Sequence, residues 1–127
     1  MGFEWVVDSE RELVTIVAAG RVDFESTTDL MRTLANDPRY RSSYPVLVDL
    51  RQLDYTASME ETHKFADLMA ELGIFRNRMA LVVSSSIHFG VGRQMSALAG
   101  RHGRQLEVFT GMRNALRWLG VADEPRT

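Results

Sequence analysis

Cysteine is absent from the 127 residues, which removes disulfide frameworks, thiol nucleophiles and thiolate metal sites. Lysine is nearly absent as well: Lys64 stands alone beside 14 arginines, a bias of composition rather than a motif. No apolar run approaches the roughly 18 residues of a membrane span, so no spanning helix is expected. Neither sign of charge dominates, with 15 basic and 17 acidic residues. A general nucleic-acid binder is usually basic overall, and that class of partner is set aside. The opening stretch from Met1 to Asp8 lacks a basic start and meets an acid at Glu4, unlike a secretory leader. Val6 stands where a myristoylation motif wants Ser or Thr. The expectation is a cytoplasmic protein.

What is present fits an ordinary globular domain. Apolar residues make up 45% and charged residues 25%, too apolar a balance for disorder. A chain of this length buries about two-thirds of its unfolded surface, so it needs no metal or disulfide to fold. No cofactor is expected. One domain is read over residues 1–121, with a tail at 122–127. Charge is unevenly spread: residues 1–73 hold 14 acids against 7 bases, and residues 74–127 hold 3 acids against 8 bases. Such a split suits a head-to-tail homodimer or a small anion held by the C-terminal half; the plainer reading intermixes both halves on one surface.

Hydrophobic periodicity sets the elements. Trp5-Val6-Val7 and Leu13-Val14-Thr15-Ile16-Val17 read as strands joined by polar turn residues, and Ala18-Ala19-Gly20 breaks the run. A helix from about Asp23 to Asn36 buries Phe24, Thr27, Leu30, Met31 and Leu34, with Asp23 as N-cap and Pro38 as stop. The run from Pro45 to Leu50 is a strand buried on both faces. A second helix from about Ser58 to Leu72 buries Met59, Thr62, Phe65, Ala66, Met69 and Leu72, and Gly73 ends it. Met79 to Val83 is a strand, about Phe89 to Arg101 a helix, Leu106 to Phe109 a strand and about Met112 to Leu119 the last helix. The order β-β-α-β-α-β-α-β-α predicts an α/β fold: a mostly parallel five-stranded sheet with an antiparallel opening pair and four helices. Ligands of such sheets meet the loops at the carboxyl ends of the strands, here residues 51–57, 84–89 and 110–111.

Three groups of residues in or near those loops are candidates for function. Ser58, with Glu61 three residues on, has the pattern of a capping box. Ser58 and nearby Thr56 are also the candidates for a phosphorylation switch or partner contact, although Glu60 and Glu61 would repel a phosphate there. Ser84, Ser85, Ser86, His88, Gly90, Gly92 and Arg93 join hydroxyls, glycine amides, a helix start and an arginine, a set suited to an anion or ligand. Their spacing matches neither the P-loop nor the dinucleotide fingerprint. Phe65, Met69, Ile74, Phe75, Phe89 and Met95 cluster between the second and third helices, as plain core or as an apolar pocket with His88 or Arg93 at a head group.

Catalytic and metal constellations are weak. A loop serine with His88 and Asp49 lacks the Gly-x-Ser-x-Gly elbow and any oxyanion donor. Glu60-x-x-His63 is half of a di-iron pattern without its other half, so no metal is expected. Arg93, Arg101, His102 and Arg104 make at most a short basic strip.

The whole-chain pattern resembles the SpoIIAA-like families, the STAS (anti-sigma-factor antagonist) domains and their relatives grouped with the lipid-binding SEC14/CRAL-TRIO fold. The resemblance is carried by Trp5 and the opening strands, Val46-Leu47-Val48-Asp49-Leu50, Met79-Ala80-Leu81-Val82-Val83 before Phe89-Gly90, and Val108-Phe109 followed by Ala115-Leu116-x-Trp118-Leu119. In anti-sigma-factor antagonists a phosphorylated serine opens the second helix within Asp-Ser-x-Gly. Counting on from Asp49-Leu50 puts Ser58 at that serine, with Ala57 in place of the aspartate and Glu60 in place of the glycine. The resemblance implies a non-catalytic regulatory domain that presents the starts of helices two and three to a protein partner. Two alternatives stand beside it: binding of a lipid or small apolar ligand between helices two and three, and, much less supported, an uncharacterised hydrolase.

Overall fold

The computed structural model describes residues 2–121. Its elements are β1 (Gly2–Asp8), β2 (Leu13–Gly20), α1 (Phe24–Ala35), β3 (Val46–Leu53), α2 (Met59–Leu72), β4 (Met79–Val82), α3 (Ser86–Arg101), β5 (Leu106–Phe109) and α4 (Met112–Leu119). The strands lie side by side in chain order, with β1 antiparallel to β2 and every later pair parallel. This is the α/β architecture that the alternating pattern predicts.

Strand order places the helices. Three successive crossovers step in the same direction across the sheet, and crossovers of this kind share one hand. Helices α1, α2 and α3 therefore cover one face, where Leu30, Met31, Leu34, Phe65, Met69, Met95 and Ala99 meet Val14, Ile16, Val46, Val48, Met79, Leu81 and Val108. The opposite face is smaller. There Leu13, Leu47, Ala80 and Val82, the alternate positions of the same strands, pack on Ala115 and Leu119 of α4. The last predicted segment, the tail at 122–127, lies outside the described residues.

Several boundaries differ from the sequence reading. Ala18-Ala19-Gly20 does not end β2: the strand continues through a register shift, and Ala19 and Gly20 pair with Gln52 and Leu53. Strand β3 accordingly runs three residues past Leu50, and the loop before α2 shrinks to residues 54–57. Small residues are poor strand formers alone, but a neighbouring strand supplies the hydrogen bonds that local propensity cannot. Helix α3 starts at Ser86 rather than Phe89, because the Ser85 hydroxyl accepts from the His88 amide and caps the earlier turn. Met59, expected inside, is 56% exposed. It follows the cap directly, ahead of the turn in which Thr62 and Phe65 begin the buried face.

Candidate functional site

The rim at the carboxyl ends of β3 and β4 is built from reciprocal hydrogen bonds. At α2 the Ser58 hydroxyl accepts from the Glu61 amide at 3.1 Å, and the Glu61 carboxylate accepts from the Ser58 amide at 3.0 Å. This is the capping box that Ser58 and Glu61 predict. The Tyr55 hydroxyl also donates to that carboxylate. The bond to Tyr55, then the Ser58 amide, hold Glu61 below the usual carboxylate range. Desolvation, and next the Glu61 bond, push Tyr55 up to about 12.

His88 ties the start of α3 to the same loop. Its Nε2 lies 2.9 Å from the Tyr55 carbonyl oxygen and 3.5 Å from the Thr56 hydroxyl. A carbonyl only accepts, so Nε2 carries the hydrogen that donates to Tyr55. The Ser84 hydroxyl donates to the Arg51 carbonyl at 2.8 Å, joining the ends of β3 and β4. Thr56, Ser58, Ser85 and His88 thus belong to one hydrogen-bonded group, with Ser84 tied beside it to Arg51.

The remaining members of the predicted anion loop lie apart in their surroundings. Ser86 is exposed in the first turn of α3, Gly90 is exposed with open space around it, and Arg93 is exposed. Gly92 faces inward instead: a Cβ built there would stand 2.7 Å from Val108 Cγ2 and 2.9 Å from Val108 Cβ. Its place in the sequence is explained by close packing of α3 on β5.

Asp49, His88 and the loop serines do not converge. Asp49 shares a strand face with Leu47, on the α4 side of the sheet, whereas α3 lies on the other side. Its carboxylate takes two hydrogen bonds from the Arg51 guanidinium, at 2.9 Å each, and one from the Arg51 amide at 3.1 Å; the guanidinium above all holds it below the ordinary carboxylate range. His63 is exposed and bonds the Met59 carbonyl of its own helix. Among the described residues no three of His, Asp and Glu gather where a cation could be held. The basic strip is also divided: His102 contacts Asp67 at 3.3 Å, while Arg104 turns inward to the Met69 carbonyl.

Behind the rim, between the helical layer and the sheet, lies an apolar cavity of about 160 Å³. Phe65, Met69, Phe75 and Met95, predicted for such a space, line it, together with His88. Phe89 does not: it packs on the same core without facing the cavity. Nor does the space sit between α2 and α3 alone. Thr27, Leu30 and Met31 of α1, Phe3 of β1 and Ile16, Val48 and Leu81 of the central strands all contribute. Its threonine hydroxyls point to helix carbonyls, Thr27 to Asp23 at 2.9 Å and Thr62 to Met59 at 2.7 Å, and the Tyr55 hydroxyl is taken up by Glu61, so the walls stay apolar. Sequence reasoning missed Phe3, Met31 and Met79 as lining residues; the one available signal was the number of methionines at inward positions.

No family model and no curated protein matches the sequence. In three dimensions the chain is similar to an uncharacterised protein of the DUF3478 family from Shewanella loihica PV-4, whose crystal structure has a SpoIIAA-like fold. The two share 19% sequence identity with a TM-score of 0.62, over 93% of this chain and 94% of that one. The architecture is therefore the SpoIIAA-like α/β fold, as the resemblance implies. Among the described residues, no helix is long and apolar enough to cross a membrane.

Proposed function

We propose that the chain is a non-catalytic, cytoplasmic, STAS-like domain that holds a small apolar molecule beneath its helical layer. The observation that carries this is the 160 Å³ cavity with its almost wholly apolar walls. A cavity of about 150 Å³ lined by Leu, Ile and Phe stays dry and takes up apolar guests. A non-catalytic role is supported by the ionisable groups of the rim, whose partners are structural: Glu61 serves the α2 cap, Asp49 holds Arg51 and His88 bridges to Tyr55. Mass spectrometry of organic extracts from purified protein, with thermal unfolding in the presence of apolar probes, tests the reading. A stoichiometric apolar molecule or a saturable rise in Tm is expected. Repeatedly empty preparations that no apolar probe stabilises refute it.

A second reading, a protein partner docked on the rim, is favoured by a separate observation. Met59 at 56% and Ile87 at 65% exposure are two of the three large hydrophobic side chains exposed among the described residues. Both lie in the first turns of neighbouring helices, beside Ser58 and His88. The partner would offer an apolar patch, a second copy of the chain being one form of it. Pull-downs or light scattering weakened by Met59→Ser with Ile87→Ser support this reading; binding indifferent to both, and to Ser58→Glu and Arg93→Ala, removes it.

A further inference from the structure

We propose that the cavity takes one unbranched aliphatic chain of about six to eight carbons with an uncharged polar end, a medium-chain alcohol in chemical class. The proposal rests on the ligand-binding reading and narrows it to a size, a shape and a head group.

Volume sets the size. About 150 Å³ accommodates benzene, six carbons, and the cavity here offers about 160 Å³. Two long acyl chains do not fit in such a space. Shape favours a chain over a ring. The lining runs from Met79, which opens β4 level with Val46, to Leu53, which closes β3. A benzene-sized volume lined from both ends of β3 is a seam, which an extended chain follows more closely than a flat ring. The walls can adjust to such a guest. Met31, Met69, Met79 and Met95, four of the seven methionines, line the seam, and their unbranched side chains repack at little cost.

Charge and hydrogen bonding select the polar end. Asp23, Asp54, Glu60 and Glu61 stand around the entry to α2, against Arg21 and Lys64, and Lys64 is already paired with Glu60. A carboxylate head group would meet net negative charge there. Of the polar side chains in the lining, Thr27, Thr62 and Tyr55 already donate their hydroxyl hydrogens within the protein. No hydrogen bond to His88 Nδ1 is formed among the described residues, and in the tautomer whose Nε2–H donates to Tyr55 it is the ring's acceptor. A hydroxyl can donate to it; a hydrocarbon end cannot.

Thermal unfolding of the full chain titrated separately with 1-octanol, sodium octanoate, octane and benzene tests the proposal. 1-Octanol should bind at least tenfold tighter than octanoate or benzene, with a saturable rise in Tm. Leu81→Phe, which fills the seam at the middle of β4, should abolish the effect while leaving the far-ultraviolet circular dichroism unchanged. Should that variant fail to fold, Met95→Phe fills the same space from α3. His88→Phe should weaken octanol about tenfold and leave octane unchanged. Benzene binding as tightly as octanol overturns the chain-shaped guest, and tighter octanoate overturns the uncharged end, both leaving apolar ligand binding intact. A co-purifying diacyl lipid overturns the size. Failure of all four probes overturns this proposal and the ligand-binding reading together.

Discussion

Two glycines of α3, two residues apart, are expected to respond to alanine with opposite sign. In a helix interior Gly→Ala alone is favourable by up to about 1 kcal/mol, because the unfolded chain loses conformational freedom. Gly90 lies on the exposed side, and a methyl added there would have nothing within 4 Å, so Gly90→Ala should deliver most of that gain. At Gly92 the same methyl meets Val108 Cγ2 at 2.7 Å and Cβ at 2.9 Å. Rotating the valine moves Cγ2 but leaves Cβ, which is fixed to the β5 backbone, so helix and strand must separate. Overpacking of this kind costs about 1–3 kcal/mol, which exceeds the propensity gain. The expected net is a loss of about 1–2 kcal/mol for Gly92→Ala, or about 4–8 °C in Tm for a domain of this size. Differential scanning calorimetry of both variants reads the signs directly. Adding Val108→Ala to Gly92→Ala should return part of the loss, with a coupling of about 1 kcal/mol in a double-mutant cycle. Equal stabilisation by both alanines would refute the close approach of α3 to β5, and with it the explanation of why glycine stands at position 92.

Two further predictions concern the rim. Ser58→Ala and Ser85→Ala should each cost about 1 kcal/mol in denaturant unfolding, since each hydroxyl accepts a first-turn amide; Ser58→Asp, which also caps, should cost less. The Tyr55–Glu61 pair should shape stability at both ends of the pH scale. The folded state depresses Glu61, so its contribution is present above the unfolded value near 4.5 and fades as pH falls through the lower folded value. Tyr55 is raised from 10.0 to about 12, so its contribution is whole below 10 and fades as pH rises toward 12. Glu61→Gln should flatten the acid limb of a stability–pH curve and Tyr55→Phe the alkaline limb; limbs unchanged by both would count against the pair.

Much of the fold was legible because its signals are local. Asp23, Ser58 and the Gly73 turn mark helix ends by hydrogen bonds and backbone angles that involve only near neighbours, and each stands where its residue type predicts. Alternation along Val46-Leu47-Val48 and Met79-Ala80-Leu81-Val82 decided which residues face α4 and which face the other helices, once the sheet was known to have two covered faces. The extension of β2 through Ala18-Ala19-Gly20 was not legible, because hydrogen bonds from β3 over-rule weak local preference. Nor was the role of Gly92, whose reason is an atom of Val108 on another element.

The sequence by itself determined the kind and order of the elements, the caps that delimit them and the apolar identity of the interior. Tertiary structure alone decided that one face carries three helices, that His88 reaches back to Tyr55 and that the side chains beneath those helices leave a seam unfilled. The reason is that hydrophobic pattern records which way a side chain turns, a property of one segment. Empty volume is the difference between the space that separates two layers and the side chains entering it from both, and it exists only once the layers are packed.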